Sequence, residues 1–361
     1  MQQLPTDAGV PSVIVVLYRS ADVIAACLQS LLGQADAVGQ IVLVDNASPD
    51  DSVSVVTDLL TYGNVPYLEM QAGDTTPECT PRARVVILRN GGNRGFAAGV
   101  NAGLRYLLSC EDINLFWILN PDCVAEPETA VKLRAEAVAL EQRGGFALLG
   151  TRILYRDGSD RIQSDGGVWS RWSGRCKNLN QGSTPDVVDD APGRTPDFIS
   201  GASMVASRRF VEDAGLMPET YFLYYEEVDW AARRRDLPLA VSRSARVLHH
   251  GGTAIGSGAP GRVASPMASY FNFRNRVWFM RRYHPKRMLT CHVFSILKVA
   301  QLLARGAVPS ALAALRGAWG LSPPACVRDA FAPEDHKWAF GEPPRRDRFF
   351  PPGVPTGSLT G

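Results

Sequence analysis

The sequence predicts an α/β protein: a Rossmann-like, mainly parallel sheet flanked by helices, continued by a basic helical C-terminal extension. Three observations carry this. From Val13 to Gly144, short apolar runs alternate with helical patterns. The runs are apolar throughout rather than at every second residue, as in parallel strands covered on both faces. From Leu237 to Arg328 there is no Asp or Glu, yet thirteen Arg or Lys occur, so that segment carries a positive field.

Each element has its own signal. Val13–Leu17 reads as a buried strand, and Ser20 as the cap of a helix that turns Val23, Ile24, Cys27, Leu28 and Leu31 inward before Gly33. Ile41–Val44 is a second strand and Ser52–Leu60 a second helix. Residues 63–82 mix Gly, Pro, Thr and charge, and read as a loop or insertion. Val85–Leu88 is a third strand, Phe96–Leu108 a helix and Leu115–Leu119 a fourth strand. Glu126–Arg143 is a helix opened by Pro127 and closed by Gly144. Residues 147–200 are rich in strands and turns. Phe198–Ala206 suits a strand and Val228–Asp236 a helix. Residues 331–361, rich in Pro and Gly, are expected to be loosely ordered with no core of their own.

Composition narrows the class. The net charge of +2 and 45% apolar content suit a globular chain with a substantial core. Seven scattered cysteines, odd in number and without a Cys-x-x-Cys pair, predict neither a disulfide framework nor a zinc site, and point to a reducing cytoplasm. The N-terminus lacks a basic-then-apolar signal segment. No run of about 18 uncharged apolar residues predicts a membrane-spanning helix.

The chemistry-bearing residues follow strands. Asp45, Asn90 and Asp122 each lie just past a strand end, where ligands bind in open α/β sheets. Asp122, in Asn120-Pro-Asp122, is a hard oxygen ligand at a rigid strand tip. It suits Mg²⁺ or Mn²⁺, and such an ion can hold a diphosphate. Asn120 is neutral and leaves that task to Asp122. Asp45 can accept the ring N–H of a uracil or thymine, or a ribose hydroxyl. The segment from Asn90 through Asn93, Arg94 and Gly95 to Asn101 joins strand to helix. Its glycines at 92, 95 and 99 allow close backbone approach, and Arg94 with the helix N-terminus favours a diphosphate. Glu226, Glu227 and Asp229 cluster beside aromatics, where crowding raises carboxyl pKa values and makes a general base available. His249, ahead of His250 and two glycines, can ligate a metal or meet a phosphate.

In order and spacing these segments resemble inverting glycosyltransferase family 2, with the GT-A nucleotide-diphospho-sugar transferase fold, over residues 10–285. The bacterial rhamnosyltransferase-like branch is the nearest in kind. The resemblance rests on Val15-Val-Leu-Tyr-Arg-Ser, Val44-Asp-Asn-Ala-Ser-Pro-Asp, Asn93-Arg-Gly-Phe-Ala-Ala-Gly-Val-Asn101, Leu119-Asn-Pro-Asp122, Ser200-Gly-Ala-Ser, Tyr224-Tyr-Glu-Glu-Val-Asp-Trp and His249-His-Gly-Gly. It implies that Asp45, Asn93, Arg94, Gly95, Asn101, Asn120 and Asp122 bind the nucleotide sugar. It implies a metal held by Asp122 with His249, and a catalytic base at Glu227. Glu stands there in place of the family's Asp, one methylene longer, so Glu226 and Asp229 stay candidates. Trp230 and Arg233 on the following helix would face the acceptor. A nucleotide-diphosphate sugar, with dTDP-rhamnose the guess from that branch, would be the donor. A lipid-linked or cell-surface glycan would be the acceptor.

The implied organisation is a catalytic domain over 10–260, split at 122 into donor and acceptor halves. A short tail precedes it, and a basic, aromatic helical region over 261–330 and the final tail follow it. In that region Arg274, Arg276, Arg281, Arg282, Lys286 and Arg287 interleave with aromatics. Such a surface suits an anionic membrane or a lipid-linked diphosphate, and Met288–Leu315 could lie on a bilayer. The same helices could instead form an ordinary cap on the catalytic domain. A nucleotidyltransferase or a non-catalytic binding protein would share parts of this pattern. The first lacks its Gly-rich, basic loop near the first strand, and the second does not need Asp122 and Glu227. Nothing resembles a nucleic-acid recognition element.

Overall fold

The apolar runs form strands and the amphipathic segments between them form helices. The computed structural model describes residues 9–34, 36–73, 83–186, 194–251 and 263–341. The first half contains β1 (Ser12–Leu17), α1 (Ile24–Leu32), β2 (Ile41–Asp45), α2 (Ser52–Tyr62), β3 (Tyr67–Gln71), β4 (Val85–Arg89), α3 (Phe96–Leu108), β5 (Leu115–Leu119), β6 (Cys123–Ala125) and α4 (Thr129–Glu141). The second contains β7 (Leu148–Tyr155), β8 (Ile162–Ser164), β9 (Gly167–Trp169), β10 (Cys176–Asn178), β11 (Ser203–Ser207), α5 (Arg208–Ala214), α6 (Glu226–Ala232) and β12 (Leu239–His249). The extension contains α7 (Pro266–Tyr283), α8 (Met288–Ala304), α9 (Val308–Ala318) and two short helices, α10 (Ala325–Arg328) and α11 (His336–Ala339).

Ten strands make one mixed sheet in the order β3-β4-β2-β1-β5-β11-β7-β12-β6, with β8 beside β7. β3, β4, β2, β1 and β5 are mutually parallel, so their C-terminal ends share one edge. β11 runs antiparallel to both β5 and β7, and β6 antiparallel to β12. This is the expected GT-A architecture, with a mainly parallel rather than wholly parallel sheet. Alternation along β1 explains why its sequence is apolar throughout. Ile14 and Val16 pack into one core with Val100 and Leu104 of α3. Val13, Val15 and Leu17 pack into another with Leu28 of α1, Val56 of α2 and Leu133 of α4. Each such fully buried side chain contributes roughly 1.5–3 kcal/mol.

Several expectations need correction. The loop expected at 63–82 contains the edge strand β3, whose Tyr67, Leu68 and Glu69 are exposed. Its backbone pairs with β4 while all its side chains but that of Met70 are exposed, so no apolar run marks it; residues 74–82 lie outside the described residues. The Ser20 hydroxyl accepts from the Tyr18 N–H and does not cap α1. The Ser20 carbonyl accepts from Val23 and Ile24 instead. The helix expected from Val228 begins two residues earlier, at Glu226. Residues 331–341 are not loose: Phe331 and Ala339 are buried with Phe222 and Phe271. The rest of that tail lies outside the described residues. Among the described residues one segment, Pro285–Ala304, is long and apolar enough to cross a membrane, although it includes Lys286, Arg287 and Lys298.

Candidate active site

β5 delivers Asp122 to the sheet edge. The Asn120 N–H donates to the Ala202 carbonyl at 2.9 Å, which ties the Asn-Pro-Asp turn to the segment leading into β11. β12 returns antiparallel to β6 and places His249 opposite Cys123. His249 Nε2 therefore lies 3.1 Å from Asp122 Oδ1, and both residues are buried. Gln163 of β8 presents its Oε1 to His249 Nδ1 at 2.7 Å. In the tautomer with its ring proton on Nδ1, facing Gln163, the imidazole offers a lone pair at Nε2. Nε2 makes no hydrogen bond, since the approach to Asp122 is off line for one. In that tautomer two acceptors face each other, an arrangement that a cation between them would satisfy. Their spacing suits adjacent ligands of a divalent ion, which stand about 3 Å apart when each bond is about 2.1 Å. Gln163 is the outer partner that orients the imidazole.

Cys123 lies within the same group of potential ligands. Burial, reinforced by the Asp122 charge, holds its thiol well above the ordinary range, and the thiol donates to the Ala202 carbonyl at 3.3 Å. Asp122, Cys123 and His249 thus bring three potential ligand atoms together, with the carboxylate and the imidazole facing each other directly.

A second cluster forms at the ends of β2 and β4. Asp45 accepts from the Ser48 N–H at 2.9 Å and pairs with Arg89 Nη1 at 3.1 Å. Asn90 donates to Asn46 Oδ1 at 2.7 Å, and Asn46 donates to the Gly95 carbonyl at 2.9 Å. Gly95 has φ 92°, and a Cβ there would lie 2.5 Å from the Phe222 carbonyl oxygen. Only glycine permits this approach. The Phe96 N–H donates to the same carbonyl at 3.0 Å. The glycine-rich loop therefore rests directly on the segment that carries the acidic cluster. Asn93 accepts from the Gly95 N–H at 3.1 Å.

The loop has a cover that the sequence did not suggest. Asp335 Oδ1 accepts from the Asn93 N–H at 3.1 Å. Trp338 lies so close to Gly92 that a Cβ there would meet its ring at 3.0 Å. The exposed Arg94 guanidinium lies 5.5 Å from the centre of the Trp338 ring.

The acidic cluster stands on a strained turn. Phe222, Tyr224 and Tyr225 all have positive φ, at 64°, 68° and 74°. Each non-glycine residue in that region costs roughly 1–3 kcal/mol. The turn persists because α7 holds its carbonyls: Asn275 Nδ2 contacts those of Tyr221, Leu223 and Tyr224 within 3.0 Å, and Arg274 donates to Tyr221 at 3.0 Å. The turn presents Glu226 and Glu227 in the first turn of α6. Burial pushes the Glu227 carboxyl up to about 7, against the pull of backbone N–H groups at Glu227, Tyr225 and Val228. Burial, and then the Glu227 charge, hold Glu226 well above the usual carboxylate range, and its Oε2 is buried without a partner. Burial thus raises both carboxyls, and the pair holds a proton more readily than free glutamates do.

Other expected site residues have structural duties. Asp229 is fully buried and accepts from Tyr221 Oη at 2.7 Å, Arg233 Nε at 2.8 Å, Arg282 Nη1 at 3.1 Å and Tyr283 Oη at 3.1 Å. With both oxygens so committed it is not a free base, and Arg233 spends its Nε on the same carboxylate. Trp230 is a core residue whose indole donates to the Gly215 carbonyl at 2.8 Å. Asn101 is buried in α3, where its amide donates to the Met217 carbonyl and Glu219 and accepts from the Met217 N–H. It braces that turn rather than a ligand. The expected basic surface is also partly interior. Arg274 is buried 4.4 Å from the centre of the Trp278 ring, and Arg276 donates to Ser295 at 2.8 Å. Sequence reasoning missed Gln163, Asn275, Asp335 and Trp338. Each is distant in sequence from the group it serves, so spacing carried no signal.

The family model described as Glycosyl transferase family 2 matches residues 12–193, about half of the chain. Among characterised proteins, the chain is 23% identical over 280 residues to the low-salt glycan biosynthesis hexosyltransferase Agl10 of Haloferax volcanii, covering 73% of each. Among solved structures, it is similar to the mannosyltransferase PcManGT of Pyrobaculum calidifontis in complex with GDP-Man and Mn²⁺. That match has 14% identity, covers 91% of this chain and 83% of the other, and gives a TM-score of 0.48. It is similar also to GalNAc-T7 with UDP, GalNAc and Mn²⁺, at 15% identity and a TM-score of 0.48. There the match covers 68% of this chain and spans less than half, 44%, of the other.

Proposed function

Because the chain belongs to glycosyl transferase family 2, we propose that it inverts configuration as it moves a hexosyl unit from a nucleotide-diphosphate sugar to a glycan hydroxyl. The observation that carries this reading is the Glu227 carboxyl, pushed up to about 7 where α6 begins. A base with that affinity is half ionised near neutral pH and can take a proton in the transition state. Glu227 accepts the acceptor's hydroxyl proton as that oxygen bonds to the anomeric carbon. The bond from that carbon to the diphosphate oxygen breaks on the opposite face, and the nucleotide diphosphate leaves with the electron pair. A single displacement of this kind inverts the anomeric centre.

Other residues position the donor. Asp45 meets the base or ribose, and Asn93, Arg94 and Gly95 line the diphosphate side. Asp122 and His249 would hold Mg²⁺ or Mn²⁺. When bound, such an ion supplies positive charge to the leaving diphosphate. A lipid-linked or cell-surface glycan is the acceptor, and the enzyme acts in the cytoplasm, where the basic extension suits the inner face of the plasma membrane.

A panel of nucleotide sugars, dTDP-rhamnose included, tests this by thermal unfolding with and without Mn²⁺, because a bound donor stabilises the native state. One nucleotide class should raise Tm in an ion-dependent way, and the transferred sugar should show inverted configuration by NMR. Retained configuration, or no stabilisation by any nucleotide sugar, would overturn the reading.

A further inference from the structure

We infer that the α8–α9 hairpin docks the protein onto an anionic bilayer, lying in the interface plane rather than crossing it. This deepens the lipid-linked-acceptor reading, but it rests on the surface and is tested without sugar transfer. Along α8, Leu289, Val293, Ile296, Leu297 and Leu303 are exposed, Leu289 at 76% and Leu297 at 64%. Their spacing gathers them into one stripe. α9 adds exposed Val308, Leu312 and Leu315, and exposed Trp319 directly follows it. Exposed apolar faces of this extent mark interaction sites.

The opposite side of α8 is fastened to the protein. Cys291 and Ser295 are buried, and Arg276 of α7 donates to Ser295 Oγ at 2.8 Å. A crossing helix would have to give up that contact and take Lys298 into lipid. A helix fixed on one side and apolar on the other suits the interfacial plane.

The rim indicates the occupant. Trp172 is 62% exposed, and the Thr290 hydroxyl near the start of α8 donates to its carbonyl. The Arg287 guanidinium lies 3.8 Å from the centre of the Trp172 ring. Trp319 stands at the far end of α9, against His292 of α8. Tryptophans at the edge of an apolar face are the pattern of a membrane–water boundary. Lys286 and Arg305 are exposed at the two ends of α8, Arg281 is exposed nearby, and no acid occurs between Leu237 and Arg328. A second copy placed here by a two-fold axis would set cation against cation. Anionic headgroups instead neutralise that rim.

Flotation with phosphatidylcholine vesicles, with and without phosphatidylglycerol, reads this directly. The wild-type chain should float with the anionic vesicles and far less with phosphatidylcholine alone. The variant Leu289→Ser/Ile296→Ser/Leu297→Ser should stay unbound while its circular dichroism and Tm match wild type. As a check that needs no altered α8, brominated phosphatidylglycerol should quench tryptophan fluorescence, and the quenching should be lost in Trp172→Phe/Trp319→Phe. No flotation of wild type, undiminished flotation of the serine variant, or a wild-type dimer that the serine variant dissociates would each overturn the proposal.

Discussion

Glu226 and Glu227 are adjacent carboxyls where α6 begins, and burial raises both above the ordinary carboxylate range. The Glu227 carboxyl, raised to about 7, is protonated and inactive below that pH and ionised above it. The kcat/KM profile should therefore climb with pH through about 7 and level off on the alkaline side. Glu227→Gln should lower kcat by about 100- to 10,000-fold with little change in donor affinity. Near-normal turnover in that variant would remove Glu227 from its role. The sequence already gathered Glu226, Glu227 and Asp229 into one cluster. It could not separate them, because the groups that engage Asp229 include Arg282 and Tyr283, more than a helix away in sequence. Asn101, Trp230 and Arg233 looked like ligand-facing residues for the same reason: a motif shows which residues are near one another, not where each side chain spends its hydrogen bonds.

At the scale of elements, the extension braces the site. α7 holds the strained turn before α6 through Asn275, whose amide reaches three carbonyls. Asn275→Ala leaves those carbonyls without that donor, and should cost about 1–3 kcal/mol in denaturant unfolding while lowering kcat. Unchanged stability and turnover would mean that the turn holds itself. α11 covers the glycine-rich loop through Asp335 and Trp338. Trp338→Ala should raise the donor KM more than it lowers kcat in steady-state kinetics; a kcat effect alone would place α11 elsewhere in the cycle. Continuous apolar runs made β1, β2, β4 and β5 legible. β3 was not, because an edge strand needs only backbone partners. The packing of residues 331–341 was not, because Phe331 and Ala339 find their core in other elements.

For the whole molecule, topology does what no local pattern foretold. The parallel half of the sheet brings Asp45, Asn90 and Asp122 to one edge, as their strand-end positions indicated. The antiparallel half then carries β12 back beside β6 and sets His249 against Asp122, a pairing across the chain. The residues of this pair were both legible, while their contact and its support from Gln163 required the fold. The claim that most depends on this arrangement is that Asp122 and His249 hold a divalent ion beside the donor's diphosphate. A crystal of the protein grown with Mn²⁺ and a nucleoside diphosphate, and measured at the manganese absorption edge, tests it most directly. The account predicts an anomalous peak touching Asp122, His249 Nε2 and the diphosphate; a peak elsewhere, or a diphosphate remote from Asp122, would contradict it.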